Sequence, residues 1–142
     1  MLVRLTGIAF PVLSAYSATK FVIEGLSESI AYELEPFGIK VILIEPGPIR
    51  SNFMKGSLLP KGALDPKSPY SELVQKLYDK TNLQHDDAIS PEEVAKTIFH
   101  AISNYTPEFR YIVGNYAVSL LEARNNMPYS EFQKMIVQNI MQ

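Results

Sequence analysis

No cysteine occurs among the 142 residues, which removes disulfides, thiolate nucleophiles and thiolate metal ligands at once and fits a reducing compartment. No apolar run reaches membrane-spanning length and the N-terminus lacks a signal-peptide layout, so the expected location is cytoplasmic and no membrane contact is expected. The formal charge is only −2, with the signs mixed along the chain. There is no basic stripe for a phosphate backbone to follow, and no nucleic-acid partner is expected. His85 and His100 lie on unrelated segments, a spacing that suggests no metal site. The seven glycines stand at positions 7, 25, 38, 47, 56, 62 and 114, no two within two positions of each other, so the chain holds no glycine-rich phosphate loop.

What is present is a chain 46% hydrophobic, the profile of one soluble domain with a single core. Ala18, Val22, Leu26, Ile30 and Leu34 recur at i+4 steps and predict an amphipathic helix over residues 15–35, closed by Pro36 and Gly38. Residues 39–44 are apolar and β-branched almost throughout, the pattern of a strand buried on both faces of a parallel sheet. Residues 46–69, rich in proline and glycine, form a long loop of the kind that serves as a lid. A short helix is expected near residues 70–81. Ser90, Pro91, Glu92 and Glu93 then supply a cap, a first-position proline and first-turn acids for a helix running to about Asn104. A strand over 110–113, ended by Gly114, and helices near 117–124 and 130–141 complete the reading. Phe99, Tyr105, Phe109, Tyr111 and Tyr116 read as core, and Phe132, Ile136 and Ile140 as a packing stripe of the last helix.

The residues most suggestive of chemistry are Tyr16 and Lys20, in the run Ser-Ala-Tyr-Ser-Ala-Thr-Lys over positions 14–20. Residues four apart share a helix face. A phenol is a weak acid near neutrality, and a neighbouring ammonium favours its charged form. At ~4 Å and an effective dielectric of ~20 that attraction is of order 4 kcal/mol before desolvation is subtracted. Such a pair can handle a proton, although tyrosine and lysine at this spacing also occur on many solvated helices. Pro-Gly-Pro-Ile-Arg-Ser over 46–51 follows the expected strand, where an α/β sheet places its ligand.

Taken together, Tyr16, Lys20 and the Pro46–Ser51 run resemble the YxxxK pair and post-strand PG loop of the short-chain dehydrogenase/reductase family, over residues 10–54. The resemblance implies an α/β fold: a partial Rossmann-like parallel sheet, with three strands near 2–5, 39–44 and 110–113 and flanking helices. It implies an NAD(P)-dependent oxidoreductase that interconverts a hydroxyl and a carbonyl on a small alcohol or carbonyl substrate, with NAD or NADP undetermined. Tyr16 would be the acid/base, and Lys20 would assist it and bind the nicotinamide ribose. Pro46, Gly47, Ile49 through its backbone, and Ser51 would complete the cofactor side. Family members commonly form dimers or tetramers through long helices, so a homo-oligomer is expected.

Two parts of the family pattern are missing: the phosphate loop, and a serine upstream of the tyrosine, where Val3 stands and Thr6 is the nearest hydroxyl. The expectation is therefore that residues 1–142 are the C-terminal half of such a domain, truncated. The alternative function is a non-catalytic fragment or interaction module.

Overall fold

The computed structural model describes residues 7–52, 62–82 and 88–141. The long helix α1 (Ser14–Leu34) leads through a 3-10 turn (Glu35–Phe37) to strand β1 (Leu43–Pro46). Helices α2 (Ser71–Asn82) and α3 (Pro91–Ser103) follow, then strand β2 (Arg110–Val113) and helices α4 (Asn115–Asn126) and α5 (Tyr129–Met141). The strands pair in parallel, with Leu43 opposite Arg110 and Pro46 opposite Val113. The chain is thus α/β, with two strands among the described residues; the strand expected near 2–5 lies outside them. Pairing with β2 starts at Leu43, which is why β1 sits later than the apolar run over 39–44.

Local signals account for the boundaries. Ser90 and Glu93 form a reciprocal capping box, with Ser90 Oγ accepting from Glu93 N–H at 3.1 Å and a Glu93 carboxylate oxygen accepting from Ser90 N–H at 3.1 Å. Pro91 fills the first turn, where no amide partner is needed. Gly38 ends the 3-10 turn in the left-handed region, at φ 71°.

Two apolar clusters carry the core. Ile44, Ile89, Val94, Ala101 and Val113 join the sheet to α3, while Ile8, Ala117, Leu120, Phe132 and Ile136 join α4 and α5 to the segment that precedes α1. Each fully buried aliphatic or aromatic side chain contributes about 1.5–3 kcal/mol. Anchoring Ile8 also fixes where α1 begins, although the intervening turn holds Val12 at φ 66°, a conformation that opposes a β-branched side chain.

The face that α1 buries differs from the expected stripe. Ser17 and Ser27 are buried, whereas Ala18 is exposed, Val22 is 68% exposed and Leu26 53%; Ile30 and Leu34 are half-buried. At 3.6 residues per turn each i+4 step rotates by about 40°, so five such residues wind around the helix rather than line one face. Phe99 and Tyr105 are likewise on the surface rather than in the core. Phe132 and Ile136 are buried as expected; the side chain of Ile140 and all of His85 lie outside the described residues.

Candidate functional site

The first part of the site lies in the first two turns of α1, which begins at Ser14. Those turns carry Tyr16 and Lys20, both half-buried. The Lys20 ammonium sits 5.2 Å from the centroid of the Tyr16 ring, within cation–π range, so the i+4 spacing does bring the two groups together. The Thr19 hydroxyl donates to the Tyr16 carbonyl at 2.7 Å and stays on the helix backbone.

The second part of the site follows β1. Pro46, Gly47 and Pro48 are buried, Ile49 is half-buried and Ser51 is exposed. Gly47 donates to the Val113 carbonyl at 2.9 Å and lies so close to α4 that a Cβ would meet that of Ala117 at 3.4 Å. Ile49 forms a parallel bridge with Ile89, in which Ile89 donates to the Pro48 carbonyl (2.9 Å) and Arg50 donates to the Ile89 carbonyl (3.0 Å). Peptide groups alternate in direction along an extended segment. The bridge therefore uses the groups flanking Ile49 and directs Ile49's own N–H and C=O to the opposite side. Arg50 reinforces the junction, with Nη1 donating to the Ala88 carbonyl at 2.5 Å. Of the proposed lid, residues 53–61 lie outside the described part of the chain, and 62–70 make a series of turns before α2.

An ion-pair triple links these two parts, and nothing in the spacing of the sequence announces it. Arg110, the first residue of β2, donates to Glu45 on β1 and to Glu24 on α1. The Glu45 side chain is fully buried, that of Glu24 is 19% exposed and that of Arg110 36%. Burial by itself would lower the Arg110 pKa, but hydrogen bonds to Glu24 and Glu45, together with their charges, outweigh it and hold the guanidinium above its ordinary value. The signal available in the sequence was a single charged residue, Glu45, ending an otherwise apolar strand.

A cleft of about 290 Å³ lined by Lys40, Ile102, Asn104 and Tyr105 lies at the opposite end of β1 and contains none of the site residues. No group of metal-ligating side chains occurs among the described residues, and none of their helices is long and apolar enough to cross a membrane.

A family model described as short chain dehydrogenase matches residues 5–61. An uncharacterized oxidoreductase of Schizosaccharomyces pombe is 32% identical over 123 residues, covering 87% of this chain and 50% of the relative. Human 17-beta-hydroxysteroid dehydrogenase type 1 is 35% identical over 121 residues, covering 83% of this chain and 37% of that protein. The crystal structure of a short-chain dehydrogenase from Streptomyces avermitilis superimposes with a TM-score of 0.65 at 29% identity, over 94% of this chain and 48% of that one. The chain spans about half the length of the curated relatives it matches.

Proposed function

This chain belongs to the short-chain dehydrogenase family, and from that premise we propose that it carries the proton-transfer part of a nicotinamide-dependent oxidoreductase site acting on a small alcohol or carbonyl compound. The observation that supports this reading is the Lys20 ammonium over the Tyr16 ring, together with a Pro46–Ser51 run that leaves the carboxyl end of β1. Ligands of open α/β sheets bind at that end.

The residues present fit the nicotinamide portion of NAD or NADP. Ile49 offers a backbone donor and acceptor on the side away from its bridge, matching a carboxamide, and Lys20 would be the residue to hold the ribose hydroxyls. Nothing in the glycine spacing cradles a pyrophosphate. When bound, the cofactor supplies or accepts a hydride. Tyr16 donates a proton to the substrate oxygen during carbonyl reduction and accepts it during alcohol oxidation. Buried Pro46, Gly47 and Pro48 hold the start of the loop in one shape.

A second reading, an interaction module that binds another copy of the chain, draws on the exposed apolar residues Phe21, Val22 and Leu26 of α1. The two readings are compatible, since these residues lie off the buried face of the helix.

The test is an NMR titration of the full chain with nicotinamide mononucleotide and, separately, with NAD and NADP. Amide shifts at Tyr16, Lys20 and Ile49 are expected with all three ligands, each at about millimolar affinity or weaker, near −4 kcal/mol. Silence at these amides would falsify the functional reading. A micromolar NAD or NADP site would show that a pyrophosphate cradle exists after all.

A further inference from the structure

We propose that Arg110 is a positioning residue, whose planar guanidinium, by holding Glu24 of α1 and Glu45 of β1 together, sets where the Tyr16–Lys20 helix lies relative to the post-strand loop. The inference rests on the reading of Tyr16, Lys20 and Ile49 given above.

Three observations carry it. Glu24 is one helical turn beyond Lys20, a rise of about 6 Å, so whatever fixes Glu24 fixes Lys20. Glu45 is the residue before Pro46, so whatever fixes Glu45 fixes the start of the loop. Arg110 touches both, with Nη1 toward Glu45, Nη2 toward Glu24 and a longer Nη1 contact of 3.4 Å to Glu24.

The fully buried residues of α1 are Ser17 and Ser27, and Ser27 Oγ has no hydrogen-bond partner among the described residues. The larger apolar side chains on that side, Ile23, Ile30 and Leu34, are only half-buried, so packing alone fixes the helix weakly along its axis. A directional, two-sided ion pair can supply that register. Arginine suits the task because its donors are fixed in one plane and reach two carboxylates at once, whereas a lysine is a point charge on a flexible stem.

A simpler role, that of counter-charge to buried Glu45, makes a different prediction for Arg110→Lys. The ammonium would still neutralise Glu45, so the fold would survive, but the link to α1 would be lost. Glu24→Gln removes the charge and one of the two acceptors from the same link and leaves the Arg110–Glu45 pair in place.

Because the chain has no cysteine, Ser29→Cys on α1 and Lys96→Cys on α3, both at exposed positions, give two unique spin-label sites in the full chain. Double electron–electron resonance then reports the placement of α1 directly, while a melting curve reports stability. In both Arg110→Lys and Glu24→Gln the distance distribution is expected to broaden or shift, and nicotinamide mononucleotide to bind about tenfold more weakly, as reacting groups lose their alignment. The melting temperature of Glu24→Gln should stay near that of the unsubstituted chain. Unchanged distributions in both variants overturn the proposal, as does a loss of ligand binding that merely tracks melting temperature. Should Arg110→Lys fail to fold, Glu24→Gln decides the matter alone. If the unsubstituted chain shows no response to the nucleotide, the functional reading falls, and the distance distributions still decide whether Arg110 places the helix.

Discussion

Replacing Arg110 with methionine removes the guanidinium from a carboxylate with no solvent exposure, and the structure sets the scale of the damage. The Glu45 side chain is 0% exposed, so water cannot take over the lost interaction. Breaking a buried pair from one side costs about 3–5 kcal/mol, because the remaining charge keeps its desolvation penalty. For a chain of this length that corresponds to a fall of roughly 10–20 °C in melting temperature. Glu24 behaves differently: it and Arg110 are both partly exposed, and Glu24→Gln should cost about 1 kcal/mol or less. The informative variant is the double one. With Arg110→Met and Glu45→Met together the only carboxylate of the triple that remains is the partly exposed Glu24, and stability should return to within about 1–2 kcal/mol of the parent. Urea unfolding followed by circular dichroism measures all four proteins. The reasoning is refuted if Arg110→Met alone is nearly neutral, or if adding Glu45→Met fails to restore what it lost.

In any preparation that supports nicotinamide-dependent carbonyl reduction, Tyr16→Phe should lower turnover by about 10²–10⁴-fold while leaving the far-ultraviolet spectrum unchanged, and full turnover would remove Tyr16 from the chemistry. Gly114→Ala should destabilise, since φ is +95° and the new Cβ would lie 2.8 Å from Ile89 Cγ2, a strain of about 1–3 kcal/mol that a melting curve will show. Val12→Gly should stabilise: relief of about 1–2 kcal/mol of left-handed strain exceeds the roughly 0.5–1 kcal/mol of added chain entropy, and a lower melting temperature would contradict the turn geometry. Leu26→Glu should shift any oligomer seen by light scattering toward monomer with little change in unfolding, because Leu26 is 53% exposed; an unchanged particle size would point association elsewhere.

Features set by neighbours in sequence were legible beforehand. The α3 start at Ser90–Pro91–Glu92–Glu93 follows from capping chemistry that is complete within four residues, and β2 was bounded by Gly114. The Tyr16–Lys20 contact followed from helix periodicity alone. The face of α1 that turns inward was not legible, because periodicity shows that a helix has sides without showing which one a sheet will cover. Here a serine-lined side was chosen and Val22 and Leu26 were left outside. The Glu24–Arg110–Glu45 triple was hidden for another reason: Arg110 lies 65 residues from Glu45 and 86 from Glu24, and it takes both the parallel register of the strands and the placement of α1 to bring the three together. Ile49 falls between these cases. Its place after the strand was readable, but the direction of its peptide groups depends on a bridge to Ile89, distant in sequence.

That bridge divides the molecule in a way that bears on how it can be altered. The chain departs from the sheet at Arg50 and returns at Ala88, and the two points are stitched together by backbone hydrogen bonds and by the Arg50 side chain. Everything between is an excursion whose ends are already closed. Lengthening such an excursion is thermodynamically mild, about 0.6 kcal/mol for each doubling of a flexible loop. The segment is not wholly free, because α2 packs against α5 and buries Val74. A change of length is therefore milder outside α2 than within it, while the Ile49–Ile89 bridge keeps the two ends of the excursion, after β1 and before α3, in register whatever lies between.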